Sequence, residues 1–366
     1  MDALPTVTIA ADALRDYVAR IFVAAGTDAA EGERIGRYLV AANLAGHDSH
    51  GVIRVPRYVQ NLHDGDTKAG QTISVVIDGP THAVVDGNNG FGQTVAPQAV
   101  AFGIDKARKA GMAVVGLRNA AHIGRIGDWA EQAIDAGMVS IHFVNVAGGA
   151  LVAPYGGVER RFSTNPFCIG VPLKGRPPLL LDMATSVVAE GKVLVASNGG
   201  KKVPPDSLID TDGTISDDPS VLYGPIAGTM VRDAKAGTGA LRAFGEHKGS
   251  AIAFMCEILA GALIGAATSS PIPEGRRRIT NGMLSFYLQP EAFGGADRFA
   301  GMAAEYADHV KSSRPAVAGG EVLVPGEPEA RTRAHRSAHG IPVQADTWAA
   351  IRASADPLGV TAPPLG

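Results

Sequence analysis

The sequence predicts an α/β protein built from at least two packed lobes. Its 366 residues exceed what one hydrophobic core normally supports, and 46% of them are hydrophobic. Apolar residues follow a helical period over the first sixty positions, whereas strand-like and helix-like runs alternate from about Ile73 onward. We therefore predict a helical segment over 1–72, an α/β lobe over 73–295, and a helical segment over 296–366 that returns to the first lobe.

Composition and charge restrict the kind of partner. The 33 basic and 36 acidic residues give a formal net charge of −3, and no basic stripe interleaves with aromatic residues, so nucleic acid is not expected. No uninterrupted apolar run approaches the roughly 18 residues of a membrane span, and the N-terminus lacks a leader pattern. Cys168 and Cys256 lie in apolar runs, which predicts buried, unpaired thiols. We expect a cytoplasmic protein that binds a small molecule.

Three helices are predicted in the first segment. The first ends at Gly26, and the second begins at Asp28, which can form a capping box with Glu31, and ends at Gly46. The third helix is expected over roughly 49–62.

The middle segment is predicted to alternate strands and helices in a βαβαβ rhythm. Strands are predicted at 82–85, 112–117, 138–146, 168–172, 179–181 and 284–288, and helices at 93–109, 125–136 and 184–196. Residues 199–236 are rich in Gly, Pro, Asp and Lys, which indicates a long connecting loop with at most one hairpin. Residues 250–267 are apolar almost all round and predict a helix buried in the core.

The last segment predicts a helix, a short strand and a final helix. The helix is expected over 296–312 and the strand over 321–323, before a basic, proline-containing stretch at 325–342. The final helix should begin at Asp346 or Thr347.

Common nucleotide and metal motifs are missing from the sequence. The glycine pairs at 90/92 and 237/239 are followed by Val95 and Arg242 where G-x-G-x-x-G needs a third glycine. Neither a phosphate-binding G-x-x-x-x-G-K-[ST] loop nor H-E-x-x-H nor paired C-x-x-C occurs. The fingerprint of a standard Rossmann site is therefore absent, and we predict no metal.

A polar cluster at 46–54 is the first candidate site. If a helix begins near Ser49, His50 and Arg54 share one face, one turn apart. A guanidinium can then hold a carboxylate while the imidazole exchanges a proton with the oxygen on the neighbouring carbon. The alternative is a capping serine followed by solvated side chains.

Two further candidates lie where a strand meets a helix. His122 and Gly124 precede a predicted helix whose free N–H groups suit a phosphate or an oxyanion, although a tight turn is the alternative. Asp182 ends an apolar strand, where it can orient a histidine or simply cap the next helix. Lys248, at the start of the long apolar helix, is a candidate for a pyrophosphate, and Arg118 and Arg125 are candidates for a 2′-phosphate.

These stretches resemble one family over nearly the whole chain. The motifs that carry the resemblance are, in order, Asp48-Ser-His-Gly-Val-Ile-Arg54, Asp86-Gly-Asn-Asn-Gly-Phe-Gly-Gln93, Asn119-Ala-Ala-His-Ile-Gly124, Ser163-Thr-Asn-Pro166, Leu181-Asp-Met-Ala-Thr-Ser186, His247-Lys-Gly249 and Pro325-Gly-Glu327. The sequence is similar to the malate/lactate dehydrogenase family that lacks the Rossmann fold and that includes piperideine- and pyrroline-2-carboxylate reductases.

The resemblance implies a fold and an activity. It implies a non-Rossmann mixed-sheet lobe that binds NAD or NADP, a mainly helical second lobe, and a homodimer. The implied reaction is hydride transfer between the dinucleotide and a small 2-hydroxy or 2-oxo carboxylic acid, with reduction of a cyclic 2-imino acid as the alternative. A cofactor-binding protein without catalysis is the alternative of another class.

The resemblance also implies roles for individual residues. His50 would be the proton donor and acceptor, and Arg54 and Thr164 would bind the substrate. Ser49 and Asp182 are similar to a charge-relay pair, and His122 matches a histidine that acts in acid/base catalysis or contacts the cofactor. The remaining residues implied to line the dinucleotide are Gly124, Asp182, Met183, Ala184, Thr185, Ser186, His247, Lys248, Gly326, Glu327 and Pro328.

Overall fold

The computed structural model describes residues 6–365 except 199, 226–233, 235 and 271–278. The helices are α1 Ala11–Ala25, α2 Ala29–Leu44, α3 Val55–His63, α4 Gly92–Ala110, α5 Gly127–Asp135, α6 Glu190–Asn198, α7 Ser220–Tyr223, α8 His247–Ala260, α9 Ala296–Lys311, α10 Glu327–His339 and α11 Ala345–Ala355. The strands are β1 Thr6–Ile9, β2 Ser74–Asp78, β3 His82–Asp86, β4 Met112–Ala120, β5 Val139–Ala147, β6 Val152–Ala153, β7 Phe167–Val171, β8 Leu179–Met183, β9 Leu208–Ile209, β10 Ile215–Ser216, β11 Ala240–Arg242, β12 Thr280–Leu288 and β13 Ile341–Gln344. The fold is therefore of the mixed α/β class.

A seven-stranded mixed sheet forms the centre of the molecule. Its strand order is β2-β3-β4-β12-β5-β7-β8, and β3 and β4 pair in parallel whereas the other neighbours are antiparallel. Helices α4 and α5 pack on it through a core that contains Val100, Leu117 and Trp129. The predicted βαβαβ order is confirmed as β3-α4-β4-α5-β5, although in the sheet β12, from late in the chain, lies between β4 and β5.

The two ends of the chain share a second hydrophobic core. β1 pairs antiparallel with β13, and α1, α2, α3 and α11 pack together, with Tyr17 and Trp348 in ring contact at 5.5 Å between centroids. Asp28 caps α2 as predicted, since its side chain accepts the N–H of Glu31. Glu31 does not return that bond; its buried carboxylate instead accepts from the N–H of Gly70 and the hydroxyl of Thr94. The segment boundaries at 72/73 and 295/296 remain predictions.

A small third lobe replaces much of the predicted loop. Four short strands in the order β10-β9-β11-β6 pack with α6 and α7 around a core of their own, which includes Val193, Leu208 and Leu222. Within 199–236 the allowed single hairpin is present, because β9 and β10 pair antiparallel, but the loop prediction missed helix α7 and the pairing of β9 with β11; residues 199, 226–233 and 235 lie outside the described part. Because each strand is two or three residues long, the period was too short to detect in the sequence.

The predicted third helix is interrupted. Asp48–His50 and Val52–Arg54 are separate 3₁₀ turns, and α3 begins only at Val55. The break lies at extended Gly51, where an added Cβ would collide with the Asn43 side chain, which accepts the N–H of Val52. His50 and Arg54 are thus not on one continuous α-helix.

Helix α6 starts later than predicted. The chain after β8 makes bends through residues 184–189 before α6 begins at Glu190, so the helix expected at 184–196 is shifted toward the C-terminus. The bends arise because Val187 N–H bonds the carbonyl of Arg242 and Ser186 bridges Ala243, which ties this stretch to the small lobe.

The helix predicted at 250–267 is shorter and less buried than expected. α8 covers His247–Ala260, and Gly261 ends it, followed by a 3₁₀ turn. One face is exposed, with Phe254 and Met255 each about half accessible and Leu263 65% accessible. Among the described residues, one helical stretch is long and apolar enough to span a membrane: His247–Ile264, which is α8 with the 3₁₀ turn after it, and 44% of this stretch is buried within the fold.

The C-terminal prediction also needs correction. Residues 321–323 form no strand, and the basic stretch that follows folds as helix α10. α10 has no buried residue, so it carries no apolar stripe from which a helix could be inferred.

Candidate active site

A cleft of about 650 Å³ opens between the end of β8, the 3₁₀ turn at Asp48–His50 and the N-terminus of α10. Several predicted residues line it: Ser49, His50, Thr164, Asp182, Met183, Ala184, Ser186 and Pro328. Its volume, and its mixture of apolar side chains with a few polar ones, suit a small-molecule site.

The His50 segment is held tightly against the small lobe. Gly191, in the first turn of α6, leaves no space for a side chain, because an added Cβ would lie 2.6 Å from the Cβ of Ser49. Ser49 Oγ lies 3.1 Å from His50 Nδ1. A serine hydroxyl can donate to that nitrogen or accept from it, so His50 can hold its proton on either ring nitrogen.

His122 lies directly behind His50. The two rings stack nearly parallel, with 5.6 Å between centroids. Tyr58 Oη lies 2.5 Å from His122 Nδ1, and the Gln93 side-chain amide donates to Tyr58 Oη at 3.2 Å. Burial raises the pKa of Tyr58 to about 12, which keeps its hydroxyl protonated.

The hydrogen bonds around His122 favour one tautomer. The Tyr58 hydroxyl has two acceptors on His122, Nδ1 at 2.5 Å and the carbonyl at 3.4 Å, and donation to the nearer Nδ1 leaves the neutral ring with its own proton on Nε2. Burial, assisted by the charge of Arg54, lowers the pKa of His122 to about 3. His122 is thus a neutral hydrogen-bond donor near neutral pH.

His50 is also kept neutral. Burial lowers its pKa well below the ordinary histidine value, and His122 and Arg54 lower it further. A neutral imidazole with a serine on Nδ1 is able to accept a proton at its other nitrogen.

Arg54 lies beside the cleft, and its guanidinium already has partners. Nε donates to the carbonyl of Ser49 at 2.6 Å, and one terminal nitrogen lies 3.7 Å from the carboxylate of Glu190. The break at Gly51 does not separate the predicted pair, since Arg54 still acts electrostatically on His50.

Asp182 does not join the histidines. Its carboxylate accepts the N–H of Gly127 at 2.8 Å, and Arg125 Nε lies 3.7 Å away. The expected charge relay through Asp182 is therefore not formed, and Ser49 pairs with His50 instead. The same contact occupies an N–H group at the start of α5 that was expected to meet a phosphate.

Arg125 is a structural residue rather than a phosphate ligand. Its side chain is fully buried and also bonds Asp128 and Glu131. Although burial opposes its charge, these carboxylates and Asp182 raise the pKa of Arg125 above its usual value. Arg118 is likewise engaged, since its Nε donates to Asp86 at 3.0 Å.

Other predicted cofactor residues lie outside the described cleft lining. Thr185 is buried and donates to the carbonyls of Thr164 and Asn165. Glu327 pairs with Lys311 and accepts the N–H of Val324. Gly124, His247, Lys248 and Gly326 are likewise outside the lining, as are His122 and the predicted substrate residue Arg54. His247 and Lys248 are exposed at the start of α8.

Four residues that contribute to the candidate site were not predicted from the sequence. Tyr58 is one turn beyond Arg54, so its spacing could have revealed it. Gln93 closes one of the family motifs, but its contact with Tyr58 spans 35 positions. Glu190 reaches Arg54 from another lobe, and Asn281 accepts the N–H of Ile123, next to His122, across 158 positions. No local pattern indicates such contacts.

The lining residues fit a nicotinamide dinucleotide. Thr164 lines the cleft beside the apolar Ile126 and Val188, and the Ser186 hydroxyl donates to the Val188 carbonyl, so the lining combines apolar surface with a few polar groups, as a nicotinamide ring with one polar edge requires. Among the described residues, no group of three or more His, Cys, Asp and Glu side chains could hold a metal ion.

Comparisons with known proteins agree over the full length. The family model described as malate/L-lactate dehydrogenase matches residues 9–352. Hydroxycarboxylate dehydrogenase B of Escherichia coli (strain K12) is 42% identical over 352 residues, covering 96% of this chain and 94% of that protein. The Delta(1)-pyrroline-2-carboxylate/Delta(1)-piperideine-2-carboxylate reductase of Pseudomonas syringae pv. tomato is 32% identical over 349 residues, covering 93% and 95%.

A solved structure shows the same arrangement of elements. The malate dehydrogenase of Pyrococcus horikoshii OT3 superposes with a TM-score of 0.85 at 28% identity, covering 99% of each chain. The mixed α/β fold described above is therefore shared with that enzyme.

Proposed function

The chain belongs to the malate/L-lactate dehydrogenase family and is an oxidoreductase acting on hydroxy acids; we propose that it transfers hydride between NAD or NADP and a small 2-hydroxy or 2-oxo carboxylic acid. One observation carries the proposal: His50 lines the cleft with Ser49 on its Nδ1 and the Arg54 guanidinium beside it. The hydride chemistry is supplied by the nicotinamide ring when the dinucleotide is bound.

Arg54 binds and orients the substrate carboxylate. A guanidinium forms paired, charge-assisted hydrogen bonds with a carboxylate, which fixes the position of the neighbouring C2. Its Nε bond to the Ser49 carbonyl holds the guanidinium next to His50. Thr164, which lines the cleft, is proposed as a second contact to the substrate.

His50 moves the proton. In oxidation, the neutral imidazole accepts the C2 hydroxyl proton, and in reduction the imidazolium returns it to the carbonyl oxygen. The low pKa of His50 favours the base form in the free protein. A bound substrate carboxylate adds a negative charge nearby and raises that pKa, which helps the acid form in the reductive direction.

His122 acts as a fixed donor. With its Nδ1 engaged by Tyr58, it offers Nε2–H to the substrate oxygen or to the carboxamide of the cofactor. Asp182 positions α5 and Arg125 and takes no part in the proton transfer.

The dinucleotide is proposed to lie along the end of β8. Met183, Ala184 and Ser186 line the cleft there, and Pro328 lines the opposite side. Thr185 supports this stretch by bonding the Thr164 carbonyl.

A substrate panel tests the proposal. Oxidation of NADH and NADPH should be followed with a series of 2-oxo acids and with piperideine-2-carboxylate, and the reverse reaction with 2-hydroxy acids. We expect turnover of at least one 2-oxo acid. Turnover of the cyclic imine alone would favour the alternative reductase activity, which the P. syringae relative's name supports. Dinucleotide binding without turnover would favour a non-catalytic cofactor-binding protein.

We also propose that the protein is a cytoplasmic homodimer. The exposed apolar face of α8, formed by Phe254, Met255 and Ile258, supports burial against a second copy. Light scattering at micromolar concentration should give the mass of a dimer. The Phe254→Lys variant should give a lower mass, because the charged side chain opposes burial of this face. The buried free cysteines, Cys168 and Cys256, are compatible with a reducing compartment, and cell fractionation tests the location.

A further inference from the structure

Glu190 is the resident counter-ion of Arg54. Its carboxylate lies 3.7 Å from a terminal guanidinium nitrogen, and the two side chains are each about one quarter exposed. The substrate carboxylate proposed to bind Arg54 must therefore bind next to a negative charge that the protein itself supplies.

Two contacts hold Glu190 in this position. The hydroxyl of Tyr223 donates to the other carboxylate oxygen, and Tyr223 is 2% exposed in the core of the small lobe. The neighbouring Gly191 packs directly against Ser49, so the first turn of α6 has no room to move closer to the catalytic segment. Ala189 and Gly191, on either side of Glu190, line the cleft, so the charge of Glu190 is held beside the cleft although neither its side chain nor that of Arg54 is part of the lining.

The other positive charges near the cleft do not offset the negative charge of Glu190. Arg125 is buried among Asp128, Glu131 and Asp182. Lys192 also lines the cleft, but its side chain is exposed, so water and salt screen its charge.

We propose that Glu190 determines specificity by charge: it admits 2-hydroxy monocarboxylates and disfavours dicarboxylates, an inference that rests on the proposed function. The first carboxylate gains the attraction of Arg54. In a four-carbon acid the second carboxylate lies only two carbons from the first, close to Glu190, and like charges held together in a partly buried site oppose binding.

L-Lactate and L-malate provide the test, because they differ by one carboxylate on C3. The values of kcat and KM for both should be measured with the full-length protein and with Glu190→Gln, Glu190→Asp and Tyr223→Phe. Glu159→Gln is the matched control, since Glu159 is an exposed partner of Arg161. Thermal unfolding checks that each variant is folded.

We expect the native protein to prefer L-lactate in kcat/KM. Glu190→Gln should reduce the lactate-to-malate ratio by about tenfold or more, chiefly through a lower KM for malate, which corresponds to weaker charge repulsion. Glu190→Asp should keep most of the preference, because it keeps the charge. Tyr223→Phe should give a smaller change in the same direction, and Glu159→Gln none.

The outcomes separate this inference from the proposed function. A preference for malate in the native protein, or a ratio unchanged in Glu190→Gln, overturns the role of Glu190 while leaving hydride transfer intact. Failure of the native protein to oxidise any 2-hydroxy acid or to reduce any 2-oxo acid overturns both.

Discussion

The imidazole rings of His50 and His122 stack 5.6 Å apart at an angle of 7°, yet their surroundings give them different roles. His50 faces the cleft with an adaptable serine on Nδ1, whereas His122 is fixed by Tyr58, whose hydroxyl stays protonated. Under the proposed function, His50 therefore exchanges the proton and His122 donates a hydrogen bond. Changes to the partners of the two rings should therefore affect catalysis in different ways.

Tyr58→Phe should lower kcat by about 10- to 100-fold, because His122 loses the partner that fixes its tautomer. Steady-state kinetics measure the loss. Tyr17→Phe is the matched control, since Tyr17 is equally buried and its hydroxyl has no hydrogen-bond partner among the described residues. Equal losses in both variants would contradict a specific role for the Tyr58 hydroxyl.

The pH dependence of hydroxy acid oxidation should reflect the low pKa of His50. The base form is lost only when pH falls below that pKa, so kcat/KM should stay level down through pH 6.5, the ordinary histidine value. Replacing Arg54 with Gln removes a charge that lowers the pKa, and the acidic limb should move to higher pH. If the acidic limb of the native protein lies at or above pH 6.5, the lowered pKa of a partly buried His50 base is contradicted.

Asp182→Asn should reduce the free energy of unfolding by about 1–3 kcal/mol, because buried Arg125 loses one of its three carboxylate neighbours. Urea unfolding measures the change. Asp297→Asn removes an exposed partner of Lys174 and should alter stability by less than about 0.5 kcal/mol. An Asp182 variant with native stability but no turnover would instead support the relay implied by the family resemblance.

Gly191→Ala should lower kcat/KM by about tenfold or more, since the new Cβ would force α6 away from Ser49. Gly301→Ala, within α9, is the control, because nothing lies within 4 Å of the place its new Cβ would occupy and alanine favours a helix. If both variants keep native kinetics, the close contact between α6 and the His50 segment is not needed for catalysis.

Long periodic elements could be predicted from the sequence, and short or paired ones could not. Helix α4 begins and ends within one residue of its predicted bounds, and α1 ends at Ala25, next to its predicted stop at Gly26, because an apolar stripe and a terminal glycine mark each. Strands β1 and β13 are four residues each and become strands by pairing with one another across the chain. Helix α10 packs no buried side chain, so its sequence lacks the stripe that would reveal it.

In the candidate site, too, local spacing could be predicted from the sequence, whereas contacts between distant segments could not. The spacing of His50 and Arg54 was informative even though Gly51 breaks the helix on which it was argued. Asp182 lines the cleft, but in the structure it bonds the N–H of Gly127 at the start of α5 and neither a histidine nor the helix that follows it, because this contact depends on how β8 meets α5. Glu190 could not be found at all, since Arg54 meets it only after the small lobe packs against the catalytic segment.

The most direct test of the account is His50→Ala, with kcat and the dissociation constant of the reduced dinucleotide measured side by side. We expect kcat to fall by about 10²- to 10⁴-fold while dinucleotide affinity stays within about threefold, and His63→Ala, an exposed histidine, to change neither. A His50→Ala variant that retains native turnover would contradict the assignment of His50 as the group that moves the proton.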